Sequence, residues 1–362
     1  MRTGVLVINF GEPETPTAEA VLPFLERIFL TNAALEGRQP DDAQRARSRQ
    51  LAEARAPGLV EVYARLGGSP LNAQARAQAE ALEAELVARG TQARCYAVFQ
   101  FLEPSVEEGV RRAREEGTER LVALPVYPLC GESTTVAALE ETARAVRALD
   151  WDVDLLEIAG WHRHPDYLPF HAEHIAASCE AAGVDPRDPD TRLLFSIHGT
   201  PLRYLYEGNR YDRYVEETCH GLAALLGVDR FAMGYQNHTN RPIEWTEPPM
   251  EEVVERLEAR QVVVVAPSFM HEQSETLSEL DEELKDRIEA RGMRYHRVPV
   301  PHDHTRFVGV LADLVESRMG REPAGHPVDW RRCLCRGKSG ARCTNGMRLD
   351  AADVRLESAA AG

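Results

Sequence analysis

Three groups of residues in this chain have types and spacings that suit chemistry. In "TRLLFSIHGTP" (191–201), His198 closes an apolar run of Leu193, Leu194, Phe195 and Ile197, and Gly199 follows it. An imidazole titrates near about pH 6.5, so a small shift makes it a base at neutral pH. At a strand end it either donates to a nearby carbonyl or takes a proton from a ligand, and the residue type leaves both open. The glycine lets the backbone turn without a Cβ clash. In "APSFMHEQSETLSELDEELKDRIEARG" (266–292), an apolar run stops at Pro267 and a helical pattern starts near Ser274. Glu275, Glu279 and Glu283 are spaced i, i+4 and i+8, which puts them on one face of an α-helix. The column is either a solvated acidic face or a line of carboxylates that conducts protons or guides a divalent cation. Glu272 and Glu275 stand at the start of that helix, where its dipole favours acids. Near the C-terminus Cys333, Cys335 and Cys343 read C-x-C-x₇-C, and Cys130 lies in "VYPLCGESTT". Four cysteines suit a [2Fe–2S] cluster. Six Arg and Lys residues and no acid in 331–348 would offset its negative charge, and zinc or free thiols stay open.

The elements that must position these groups alternate. Apolar, β-branched runs occur at 4–10, 94–101, 120–128, 152–159, 192–198, 230–236, 262–267 and 295–300. Charged stretches of helical periodicity separate them, among them 72–89, 105–117 and 251–260. Near-continuous apolar strands between helices predict an α/β protein of two Rossmann-like, doubly wound parallel-sheet domains. The expected division is 1–150 and 151–303, with a helix over 304–319 packing back on the first domain and a cysteine-containing extension over 320–362. In such sheets ligands sit at the carboxyl ends of strands. Segments 9–13, 127–135 and 267–275, with His198 and Gln236, are therefore expected to converge on one cleft between the domains.

Composition narrows the function. The chain has 362 residues, 43% hydrophobic and 28% charged, with a net charge of −16, which would repel nucleic-acid phosphates. No apolar stretch approaches the roughly 20 residues needed to cross a bilayer. The chain enters its first strand directly, so a soluble, cytoplasmic protein is expected, with peripheral membrane contact through an apolar lip left open. "RGKS" (336–339) lacks the earlier glycine of a phosphate loop, Arg332 standing there. "HDH" (302–304) opens the last helix, where Asp303 or Thr305 would cap it.

Taken in order, "GVLVINFGEPETP", "GGSPLN", "VYPLCGESTT", "LLFSIHGTPLRYLYEGNRY", "YQNHTNRPIEW" and "PSFMHEQSETLSELDEEL" resemble the ferrochelatase family over roughly residues 3–318. The resemblance implies insertion of Fe²⁺ into protoporphyrin IX to give protohaem, with release of two protons. It implies that His198 and Glu275 are catalytic. The metal would be held by His198, Glu275, Glu279, Glu283 and Glu272. It implies that Tyr127, Ser133 and Thr134 contact the macrocycle, that Trp245 is an aromatic near the cleft and that Tyr63 is a lip residue. Some members carry a [2Fe–2S] cluster, which here would take Cys130, Cys333, Cys335 and Cys343. The sequence departs from the family pattern at Gln100, Thr200, Asn209 and Gln273, none of them in the His–Glu pair, and these positions bear on propionate recognition. A coproporphyrin or other tetrapyrrole chelatase, and a non-catalytic tetrapyrrole carrier, stay as alternatives. "VLPFLERIFL" (21–30) either grips a macrocycle or packs on the core as an amphipathic helix.

Overall fold

The computed structural model describes residues 1–35, 37–39, 41–237, 243–323, 327–332 and 342–345. The first half runs β1 (Thr3–Asn9), α1 (Ala18–Leu35), α2 (Asp42–Leu66), α3 (Leu71–Ala88), β2 (Ala93–Phe99), α4 (Val106–Glu115), β3 (Arg120–Pro125), α5 (Ala137–Ala148) and β4 (Asp154–Glu157). After α6 (Tyr167–Ala181), the second half runs β5 (Thr191–His198), α7 (Leu202–Tyr206), α8 (Tyr211–Leu226), β6 (Phe231–Gln236), α9 (Met250–Arg256), β7 (Gln261–Val265), α10 (Lys285–Ala290) and β8 (Arg294–Arg297). The helix α11 (Thr305–Arg318) follows. All eight apolar runs are strands, and the two sheets are α/β and parallel, ordered β2-β1-β3-β4 and β6-β5-β7-β8.

Both sheets reverse direction between their first and third strands, that is, between β1 and β3 and between β5 and β7. A crevice opens at the carboxyl ends of such a pair. Burial explains why the strands read as continuous apolar runs: every residue of β1 and of β7 is buried, helices covering both faces.

Two features depart from simple repetition. The first is α11, whose Phe307, Val310, Leu311 and Leu314 pack against Val5, Val7 and Val122 of the first sheet and Leu82 and Leu86 of α3. A buried network in which Arg89, just past the end of α3, pairs with Asp313 and Glu316 holds α11 there. The second is that the acidic segment is not the expected α-helix. Residues Glu275–Leu284 form a π-helix, bonded i→i+5, that runs directly into α10. A shorter π-turn, Glu132–Val136, runs into α5 at the corresponding place after β3. The apolar stretch 21–30 lies in α1, where Val21, Phe24 and Leu25 are buried with Tyr63 and Phe101 in a core cluster.

Candidate active site

A cleft of about 860 Å³, mouth included, opens where the carboxyl ends of the two sheets meet. The first half contributes Asn9, Phe10, Leu71, Tyr127, Ser133 and Thr134 to its wall, and the second contributes His198, Tyr211, Ser268, Phe269, Gln273 and Glu275. Its apolar surface comes from Phe10, Leu71, Val126, Leu129, Phe269 and Met270.

His198 ends β5, and its backbone is fixed from two sides. Its N–H donates to Ser268 Oγ at 3.5 Å, and the Tyr211 hydroxyl donates to its carbonyl at 3.1 Å. The side chain faces Glu275, with Nε2 3.3 Å from Oε1. Removal from water alone would lower the imidazole pKa. The Glu275 carboxylate, its hydrogen bond and the more distant Glu279 outweigh that and raise it to about 9. At neutral pH the pair therefore holds a proton on His198. Gln273 Nε2 donates to the other Glu275 oxygen at 2.6 Å. Gly199 leaves room for this turn: a Cβ there would lie 2.8 Å from the Gln236 carbonyl.

Glu279 lies one turn further along the π-helix. Burial and the nearby Glu275 charge raise its pKa to about 7, although Gln236 donates to it at 2.9 Å. Ser196 in turn donates to Gln236 Oε1 at 3.0 Å. Glu279 and Glu283 both line a second, more open cavity of about 1000 Å³, together with Arg55, Asn237 and Arg287. The π-helix thus carries carboxylates from the wall of one cavity to the wall of another.

The remaining expected site residues fall into place unevenly. Tyr127 lines the cleft and donates to Gln100 Oε1 at 2.7 Å. Trp245 is half-buried and bridges through its backbone to Pro201, beside the cleft residue Thr200. Glu272 stands apart from the other acids. Arg297 at 2.9 Å and the Val300 N–H at 3.0 Å occupy one of its oxygens, and the Thr276 hydroxyl at 2.6 Å occupies the other. Tyr63 is not at a lip but fully buried beneath α1, with its hydroxyl facing Glu12 and Ser274. Among the described residues no three His, Cys, Asp or Glu side chains converge as a metal cage. Stacking acids along a helix separates them by a turn each, so the five-residue ligand set is brought together only at His198 and Glu275. Cys130 and Cys343 are both buried beside one connector: Cys130 Cβ lies under Gly160, and Arg342 pairs with Ile158. Cys333 and Cys335 lie outside the described residues.

The sequence placed Ser268, Gln236 and Glu12 in stretches expected at the cleft but assigned none of them a role. Glu12 was visible only as an acid between Gly11 and Pro13 after an apolar strand. Its partners come from elsewhere in the chain, Ser69 and Ser274.

Comparison with known proteins follows from this geometry. The family model described as ferrochelatase matches residues 2–319. The chain is 31% identical over 351 residues to a ferrochelatase of Nitrosococcus oceani, covering 91% of this chain and 92% of the relative. It is 32% identical over 328 residues to a ferrochelatase of Synechococcus elongatus, covering 88% of this chain and 83% of the relative. Among solved structures, SirB from Bacillus subtilis with Fe³⁺ is similar in fold, with a TM-score of 0.51 and 13% identity, covering 90% of this chain and all of that one.

Proposed function

The chain belongs to the ferrochelatase family, and we propose that it inserts Fe²⁺ into protoporphyrin IX at the cleft between its two sheets. The observation that carries this reading is the 3.3 Å pairing of His198 Nε2 with Glu275 Oε1 on the cleft wall. Metal insertion removes two pyrrole protons and strips water from the cation. An imidazole binds Fe²⁺ or accepts a proton, and carboxylates hold a hard, partly hydrated ion. The flat apolar surface of Phe10, Leu71 and Phe269 suits a macrocycle face, and Tyr127, Ser133 and Thr134 supply polar contacts opposite the acids.

The pair's protonation sets the order of events. His198 carries a proton at neutral pH because Glu275 faces it. A divalent cation arriving at Glu275 cancels the charge that holds this proton, so the imidazole releases it and can then accept one from a pyrrole nitrogen. Glu279, poised near neutrality, takes released protons toward Glu283 and the second cavity.

The test mixes protein, porphyrin and Fe²⁺ or Zn²⁺ and follows the visible spectrum. Turnover on a dicarboxylate porphyrin above that on a tetracarboxylate one supports protoporphyrin. The reverse preference makes the enzyme a coproporphyrin chelatase. Band shifts without metallation make the protein a carrier and end the reading.

The same reading places a [2Fe–2S] cluster on Cys130, Cys333, Cys335 and Cys343, supported by the burial of Cys130 and Cys343 beside one connector. Protein purified without oxygen is expected to be reddish brown with bound iron and sulfide, and Cys343→Ser to lose the colour. Colourless protein without sulfide removes the cluster, and stoichiometric zinc replaces it.

A further inference from the structure

We propose that Glu12 is a positioning residue: a buried carboxylate of the first half that fixes, across the interface between the halves, where Glu275 of the second half stands against His198. Glu12 sits on the loop after β1 and is 3% exposed. Its Oε2 accepts from the Ser274 N–H at 2.9 Å and from the Ser69 hydroxyl at 2.6 Å, and its Oε1 accepts a short bond from the Ser274 hydroxyl. An ionised carboxylate is acceptor-only, and here three donors converge on it. Ser69 Oγ itself accepts from the Leu71 N–H, which leaves its proton for Glu12. Ser274 immediately precedes Glu275, and its N–H is one of those that a helix's first turn leaves without an internal partner.

The loop is as rigid as the bond it makes. Asn72 brackets the Glu12 backbone, accepting from its N–H at 3.0 Å and donating to its carbonyl at 2.8 Å. Gly11 holds φ +83°, and a Cβ there would lie 2.7 Å from Phe99 Cβ. Other bonds cross the same interface: the Glu272 N–H donates to Gln74, Asn209 donates to Glu132, and Arg65 pairs with Glu282 and Ser278. Arg65 is half exposed, so solvent screens its pair. Glu12 is shielded: burial raises its carboxyl pKa, the bonds from Ser274 and Ser69 oppose that, and hydrogen bonds away from water are stronger. His198, by contrast, is held by Ser268 and Tyr211 of its own half. Glu275 also has partners in its own half, Gln273 on its carboxylate and Gln236 on Glu279 a turn later, but the backbone one residue before it is held from the first half by Glu12.

The inference rests on metal insertion at the His198–Glu275 pair, so the experiment separates the two claims. Insertion kinetics, porphyrin binding by fluorescence and thermal melting are measured for the parent, Glu12→Ala, Glu12→Gln, Glu12→Asp, Ser274→Ala and the Glu12→Ala/Ser274→Ala double variant. Glu12→Ala is expected to lower kcat about 100-fold, as a displacement of about 1 Å does, with porphyrin affinity within about twofold. Glu12→Gln sets an amide donor against Ser274 and Ser69 and is expected to lose nearly as much, while Glu12→Asp recovers part. The double variant is expected to be no slower than Glu12→Ala, since the Ser274 hydroxyl acts through Glu12 and has nothing further to lose once Glu12 is gone. An active parent whose Glu12→Ala and Glu12→Gln forms keep kcat within about threefold overturns the proposal, as do losses that multiply in the double variant. If the parent inserts no metal, the function reading fails and amide exchange decides on Glu12. Faster exchange confined to 274–284 in Glu12→Ala upholds its anchoring role, and unchanged exchange removes it.

Discussion

The two sheets share a strand order and reverse at equivalent places, yet their carboxyl ends carry different chemistry. The last residue of β1 is Asn9, and the last of β5 is His198. After β3 a π-turn offers Ser133 and Thr134; after β7 a π-helix offers Glu275, Glu279 and Glu283. One architecture thus builds a neutral wall and a titratable wall across one cleft. The lesson is that topology locates the site, while a few residues at strand ends decide which wall is neutral and which titrates.

That contrast can be broken most severely at the titratable wall. His198→Ala is expected to lower metal insertion about 10³-fold, as loss of a proton-transferring group does, while porphyrin still quenches in a fluorescence titration. Insertion at the parental rate would make the two walls functionally alike. On the neutral wall, a Ser133→Ala/Thr134→Ala variant is expected to raise the porphyrin KM about 30-fold and leave kcat within about twofold, since two neutral hydrogen bonds are each worth about 1 kcal/mol. A fall in kcat with unchanged KM would move the chemistry to that side.

The smallest effect concerns stability. Glu279 binds its proton more tightly in the folded chain, with a pKa raised from 4.5 to about 7. Between those values the folded state holds more protons than the unfolded one, so stability from this group falls as pH rises through that window. Glu279→Gln removes the loss. Its Tm should match the parent's near pH 4.5, rise above it by a few degrees by pH 7 and stay level beyond. The neutral-wall variant should show no such slope.

The eight strands were legible because burial on both faces demands continuous apolar residues, as in Val262–Val265. His198 was legible because an ionisable group ending such a run is conspicuous, and Glu275 because it opens a column of acids spaced four apart after one. The π-helix was not, since α and π turns differ in hydrogen-bond register rather than in residue type. Glu272 was expected among the residues holding the metal, yet its partner Arg297 lies on β8 and takes it away. Tyr63 read as a lip residue because only the packing of α1 over α2 shows that it is covered. The role of Glu12 was illegible for a related reason: the stretches 9–13 and 267–275 were expected to meet, but nothing in either pairs Glu12 with Ser274, 262 residues away.

The return of α11 to the first sheet bears on biosynthesis. Leu82, Leu86 and Val122 are covered by residues of Phe307–Val315. While the ribosome is still making the second sheet, the earlier one lacks its cover and exposes a greasy face. The half translated first is therefore the half finished last, and a nascent chain stalled near residue 300 should be a chaperone client rather than a folded domain.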